Sequence, residues 1–292
     1  MKNLLSLSII SLSVLLSCKN TKVASETGNT LVSKNWTDNQ LMDKVQSDAL
    51  KYFWDFAEPN SLLGRERYHE DNIYPDNDKH VVTTGGSGFG LMTILVGVDR
   101  KYIPRREAVK RLTHIADFLE KADRFHGAWS HWINGETGKV VPFGKKDNGG
   151  DLVETAFLVQ GMICVREYFK NGNEEEKALA AKMDKLWKGV EWNWYTKGGQ
   201  KVLYWHWSPS YGWEMNFPLE GYNECLITYV LAASSPDYSI DYDTYNKGWT
   251  RNGTYTTDRT KYGLPLYVKH NYAEEFGGPL FLSLIHISEP TR

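Results

Sequence analysis

Apolar residues recur along this chain in two alternating styles. From Thr37 to Ala57 they fall at helical spacing on one side only, with Leu41, Val45, Ala49, Tyr52, Phe53 and Phe56 forming a stripe. Gly86 to Val98 is then apolar and rich in small residues. Pro104 to Ala122 returns to the one-sided pattern, opened by Pro and by Glu near its first turn. Asp151 to Phe169 is apolar nearly all round (Leu152, Val153, Ala156, Phe157, Leu158, Val159, Met162, Ile163, Val165), which predicts a helix buried on every side. Asn173 to Trp192 is one-sided again and starts with Glu174-Glu175-Glu176, acids suited to a helix N-terminus. Gly221 to Ala233 closes the series with a further apolar run. An exposed-type helix therefore alternates with a buried type about three times. Antiparallel helix pairs whose buried members form an inner ring make an all-α toroid, here incomplete, with about three pairs present.

The segments between these helices are rich in a different chemistry. Pro59 to His80 is full of Asp, Asn and Arg. Gly127-Ala-Trp129-Ser-His131-Trp132 precedes a loop containing Asp147. Trp192-Asn-Trp194-Tyr195, a Gly198-Gly199 turn and Tyr204-Trp205-His206-Trp207 read as a hairpin, because the last four alternate at period two. Tyr211-Gly-Trp213 follows and leads into Glu220-Gly-Tyr222-Asn223-Glu224. Aromatic rings beside Asn, Asp, His and Glu at one rim suit a ligand with apolar faces and hydroxyl edges, as a sugar ring has. The candidate contacts are Trp129, Trp132, Trp205, His206, Trp207, Tyr211, Trp213 and Asn223. Aromatic faces that merely cover helix ends are the structural alternative.

Composition bounds this picture without changing it. The 292 residues are 41% hydrophobic with a formal net charge of -2, enough for one large core and no argument for nucleic acid or an anionic membrane surface. The ends add more. Met1-Lys2-Asn3 and the short apolar run Leu4 to Leu16 read as an export signal, and Leu15-Leu16-Ser17-Cys18 resembles a bacterial lipobox. Residues 1–18 are therefore expected to be a lipoprotein signal peptide with Cys18 lipidated, residues 19–35 a flexible tether, and 36–281 part of a catalytic domain. Export, with a lipid anchor on the periplasmic or outer surface of a bacterial membrane, follows from that expectation. Leu282 to Arg292 resembles the translation of a transposon-type sequencing adapter, so the natural reading frame is expected to continue beyond Phe281. Cys164 and Cys225 sit in apolar helices and are expected as free thiols.

Several motifs fail on inspection. Gly85-Gly86-Ser87-Gly88-Phe89-Gly90 lacks the Lys-Ser/Thr of a phosphate loop, and Phe89 spoils a serine nucleophile elbow. Small residues that allow close helix packing explain it better. His126 and His131 are a weak metal pair, and Asp71, Asp76 and Asp78 lack the calcium-loop spacing, so no metal is expected.

The remaining chemistry lies in four carboxylates: Asp147, Asp151, Glu154 and Glu224. Asp151 and Glu154 are spaced as N-cap and N3, a variant capping box, and Glu224 opens the next apolar helix, where an acid also favours the dipole. The functional reading rests on repetition, because two buried helices start with acids directly after aromatic loops. Hydrolysis of a glycosidic bond needs one acid held protonated and one ionised; inverting enzymes separate them by roughly 6.5–9.5 Å. Asp151 and Glu154 are only about 4.5 Å apart along a helix axis. Pairing Glu224 with the Asp147/Asp151/Glu154 cluster relieves that constraint.

The segments Gly150-Asp151-Leu-Val-Glu154-Thr-Ala-Phe157-Leu-Val-Gln160-Gly161, Tyr204-Trp205-His206-Trp207-Ser208-Pro209, Tyr211-Gly-Trp213-Glu214, Gly221-Tyr-Asn223-Glu224-Cys225 and Gly277-Gly-Pro-Leu-Phe281 resemble the glucoamylase-like lipoproteins and exported enzymes of bacteria. That group includes the endo-β-1,2-glucanases and sophorose-releasing glucosidases of glycoside hydrolase family 144. The resemblance implies an (α/α)6 toroid, no cofactor and inversion at the anomeric carbon; a glucan partner, membrane contact through the lipid only and a monomeric chain are expected beside it. It maps the family's acids onto Asp147, Asp151, Glu154 and Glu224, with Glu224 favoured as general acid. Two rivals remain open at this point: a non-catalytic glycan-binding lipoprotein, and a sugar epimerase or lyase, which would rest on a base such as His206.

Overall fold

A computed structural model describes residues 36–254 apart from Tyr222, and scattered positions from Thr256 to Pro265. The expected signal peptide, the expected lipidation site Cys18, the expected tether and the segment Leu282–Arg292 lie outside the described residues. The chain divides into two compact units, residues 1–43 and 44–292. Of the first, only residues 36–43, with the beginning of α1, are described; the site described below lies in the second.

Six α-helices occur among the described residues: α1 (Asp38–Trp54), α2 (Thr84–Asp99), α3 (Arg105–Lys121), α4 (Leu152–Phe169), α5 (Glu174–Lys188) and α6 (Leu226–Ser234). The apolar helices α2, α4 and α6 pack side by side, and amphipathic α3 and α5 pack together behind them, α3 also touching α2 and α5 touching α4. This is the inner and outer layering of a helical toroid, represented by about three pairs. The strands are short: β1 (Val81–Thr83) pairs antiparallel with β2 (Trp132–Asn134), and β3 (Gly150–Asp151) with β4 (His206–Trp207). None of the helices among the described residues is long and apolar enough to cross a membrane.

Local sequence explains the helix limits. Asn173 accepts a hydrogen bond from the Glu176 N–H while the Glu176 carboxylate accepts one from the Asn173 N–H (3.0 Å each), a reciprocal cap that starts α5. The same Glu176 reaches Arg105 at the start of α3, and Lys182 meets Asp117, tying the two outer helices together. The glycines of α2 act as spacers: a Cβ on Gly88 would lie 2.1 Å from the Phe157 carbonyl, and one on Gly161 would lie 2.3 Å from the Gly88 carbonyl. Backbones of α2 and α4 thus touch directly, as the small-residue reading of this run requires.

Four expectations change. In α1 the buried residue is Leu50, with Phe53 half-buried, while Leu41, Val45 and Ala49, and Phe56 just past its end, are exposed. Leu50 lies against Gly97 and Phe53 against Gly64 and Gly90, so room left by glycines, not the widest apolar stripe, sets the helix rotation. Helix α6 starts at Leu226, five residues later than expected, because Gly221 adopts φ +55° and Asn223 Oδ1 accepts from the Cys225 N–H (3.0 Å). The expected hairpin is absent: Trp192–Thr196 forms a 3-10 turn, and the strand His206–Trp207 pairs instead with Gly150–Asp151. Finally, α2, α4 and α6 are not covered on every side. Phe89, Val96 and Val230 are exposed, and Phe157 and Gln160 are half-buried. Cys164 and Cys225 are free thiols, half-buried and buried respectively.

Candidate active site

Three stretches of chain meet at the start of α4. The Asp151 N–H donates to the Trp129 carbonyl and the Leu152 N–H to the Trp205 carbonyl, both at 2.8 Å, so the helix start is strapped to two loops. Asp151 is fully buried and both of its oxygens are occupied. Oδ1 accepts from the N–H groups of Val153 and Glu154 (2.9 Å each). Oδ2 accepts from Trp205 Nε1 (2.6 Å) and lies 3.0 Å from His131 Nδ1. Asp151 is therefore an N-cap, as its position in the sequence suggests.

Glu154 does not complete the capping box. Its side chain crosses to α2, where Oε2 accepts from the Gly85 N–H (2.8 Å) and from the Thr83 hydroxyl (3.4 Å). A Cβ at position 85 would come within 2.6 Å of that oxygen, so the first Gly of the Gly-rich run is what lets the carboxylate dock. Glu224 arrives from the other side, two residues ahead of α6. Glu154 and Glu224 line one cavity of about 570 Å³, together with Thr83, Gly85, Gly86, Phe89, Phe157 and Gln160, and with Leu226, Ile227 and Val230 of α6.

Behind Glu154 lies a buried polar cluster. Burial works against charge on His131, but its hydrogen bond to Asp151 and the negative Glu154, Asp151 and Asp147 outweigh that and raise it to about 9. His131 is thus a cation at neutral pH. Burial and the neighbouring Asp151 push Asp147 up to about 7, although His131 pulls it the other way. Asp147 Oδ1 lies 3.3 Å from His206 Nε2, out of hydrogen-bonding alignment, and burial holds His206 below the ordinary histidine value. The cluster holds one cation and a carboxyl poised near neutrality, next to but not lining the cavity. Among the described residues no group of His, Cys, Asp and Glu is arranged to hold a metal ion.

The eight expected sugar contacts sort differently from expectation, and none of them lines the cavity that holds the two glutamates. Trp129 is 0% exposed, its Nε1 donating to the Leu119 carbonyl (3.1 Å) under the Arg124 guanidinium; it belongs to the core. Buried Asn223 braces the turn ahead of α6 through the Cys225 N–H, and buried His206 faces Asp147. Trp205 is tied to Asp151, and Trp132 packs edge-on against His131 and Phe143. Trp207 and Trp213 belong to a separate aromatic group around Trp194, and Tyr211 is a half-buried turn residue whose N–H donates to the Ser208 hydroxyl (2.9 Å). The acids' cavity is instead walled by Phe89, Phe157 and aliphatic side chains. The residues that sequence reasoning missed are Thr83, Gly85 and His131. Only Gly85 left a signal, as the head of a glycine run preceding an apolar helix.

Comparison with known proteins follows the same lines. Residues 216–288, which include Glu224, match a family described as "Putative glucoamylase". The chain is 47% identical over 267 residues to an exo-β-1,2-glucooligosaccharide sophorohydrolase (non-reducing end) of Parabacteroides distasonis, covering 86% of this chain and 36% of that protein. The crystallised endo-β-1,2-glucanase of Chitinophaga pinensis, in complex with sophorotriose and glucose, superposes with a TM-score of 0.81 at 58% identity, over 84% of this chain and 58% of its own. A β-1,2-glucanase structure from Parabacteroides distasonis gives a TM-score of 0.74 at 45% identity, over 80% of this chain and 35% of its own. The chain thus spans between about a third and about six tenths of these relatives. In sequence and in helical layering the chain resembles the glucoamylase-like family over the part of these relatives that it spans.

Proposed function

We propose that this chain carries the acid-bearing part of a glycoside hydrolase acting on β-1,2-linked glucan. The observation that supports the reading is the convergence of Glu154 and Glu224, from the starts of two separate inner helices, on one cavity. In the proposed reaction Glu224 gives its proton to the glycosidic oxygen as the bond from the anomeric carbon breaks. Glu154, aimed by the Gly85 N–H, takes a proton from the water that attacks that carbon from the opposite face. Asp151 acts as a positioning residue, since its oxygens are already spent on the α4 N-terminus, Trp205 and His131. The substrate assignment is supported by the β-1,2-glucan activities for which the relatives are named. Membrane tethering through Cys18 belongs to the same proposal.

Incubation with β-1,2-glucan is expected to release reducing ends, and Glu224→Gln to lower that turnover about 10²–10⁴-fold without changing the melting temperature. Turnover that survives Glu224→Gln removes that residue from the mechanism. Glucan-dependent quenching of Trp fluorescence with no product would instead leave a binding protein.

A further inference from the structure

A second hollow of about 500 Å³ lies in the same chain segment that precedes α6, lined by Glu191, Asn193, Trp194, Lys197, Gly198 and Trp213. It shares no lining residue with the cavity of Glu154 and Glu224. The pairing of β3 with β4 explains the separation. His206 stands opposite Asp151 and faces Asp147, whereas the next residue, Trp207, alternates to the other side and packs edge-on against Trp194 (5.9 Å).

Trp194 is 39% exposed, unusual for so large an apolar ring beside a core that buries Trp129, Trp192 and Trp249 completely. It is also held rigid. One face is covered by the His126 imidazole, stacked at 3.6 Å and 13°, and His126 is in turn fixed by Glu191 at 3.0 Å. His126 adopts φ +49°, a conformation that non-glycine residues avoid, and the adjoining Gly127 packs so closely on the Gly189 carbonyl that a Cβ would lie 2.0 Å from it. Trp213 stands beside Trp194 with centroids 6.4 Å apart and planes tilted by 31°. The two rings form an angled bench, too close for a sandwich, with the exposed amide of Asn193 and the polar ends of Glu191 and Lys197 around it. Preorganised indole faces beside amide, carboxylate and ammonium groups match a pyranose, which offers C–H faces for stacking and hydroxyls at its edge.

We propose that Trp194 and Trp213 form an auxiliary glucan-holding site, separate from the catalytic cavity, which binds a stretch of a polymeric β-1,2-glucan while another stretch is cleaved. The proposal rests on the glucan reading above. Its gain is effective concentration: a chain held at one point on the protein is presented repeatedly to the cavity.

The test is electrophoresis of the full 292-residue chain in native gels cast with β-1,2-glucan, run beside hydrolysis of the polymer and of sophorotriose. Trp194→Ala is expected to weaken retardation by the polymer about ten-fold while sophorotriose turnover stays unchanged. Asn193→Ala, at an exposed position, weakens it in the same direction without altering the melting temperature and decides the matter if Trp194→Ala fails to fold. Retardation of both variants equal to wild type overturns the auxiliary site; continuing hydrolysis by the wild type then leaves the catalytic proposal standing. A wild-type chain that is neither retarded nor hydrolytic overturns the glucan reading, and this site with it.

Discussion

Helices α4 and α6 both begin beside a carboxylate, yet the two starts are built on different principles. At α4 the cap is the acid itself: Asp151 accepts two backbone N–H groups, holds Trp205 Nε1 and pairs with the cationic His131. At α6 no side chain caps the helix: its first flanking residue is Cys225, the neutral Asn223 Oδ1 accepts from the Cys225 N–H in the turn just ahead, and the adjacent Glu224 lines the cavity. Glu154, one turn into α4, is likewise relieved of capping duty and lines the cavity from the far side. The difference teaches that the acid which caps its helix is taken up by structure, whereas the two glutamates that do not cap face the cavity.

Three substitutions sharpen or break this contrast. The largest effect is expected at Asp151. Asp151→Ala removes the cap and leaves the buried His131 cation without its partner, so denaturant unfolding should show a loss of about 3–5 kcal/mol. A loss below about 1 kcal/mol would mean that α4 does not depend on its acid.

The second substitution acts through pH. Asp147 is raised from 3.8 to about 7 in the folded chain, so between those values the folded state binds more protons than the unfolded one, and stability falls as pH rises. His131, raised from 6.5 to about 9, extends the same downward slope to about pH 9. Asp147→Asn should flatten the melting curve between about pH 4 and 7, a change of a few kcal/mol across that window, and leave the higher-pH slope in place. An unchanged profile would place the proton elsewhere in the cluster.

The smallest effect belongs to the neutral turn residue ahead of α6. Asn223→Ala should cost about 1 kcal/mol, because the Cys225 N–H in the turn ahead of a short helix loses its acceptor and no buried charge is stranded. If it equals Asp151→Ala in cost, the two helix starts are not different in kind.

Much of the fold could be read before the structure was known. Alternating one-sided and all-round apolar runs predicted α2 to α5 within a few residues, because the period of an amphipathic helix is a local property that a core can only select. The glycine run around Gly88 also announced close packing, although its backbone partner at Gly161 was not foreseen. The placing of the aromatics was much less legible. Trp129 and Trp213 look alike in sequence, each in a glycine-bearing loop, and one is sealed in the core while the other lines an open hollow.

The sequence by itself determined the kinds of helices, their order, Asp151 as a cap, the acidic start of α5, and the four acids worth watching. Tertiary structure alone decided that His206 pairs across to Asp151 instead of to its own neighbour, that Glu154 abandons its capping box for the Gly85 N–H, and that Glu224 shares a cavity with it. The physical reason is range. Caps and periodicities are settled within one turn of chain, whereas the partner of a buried charge is chosen among every group the folded core brings within reach.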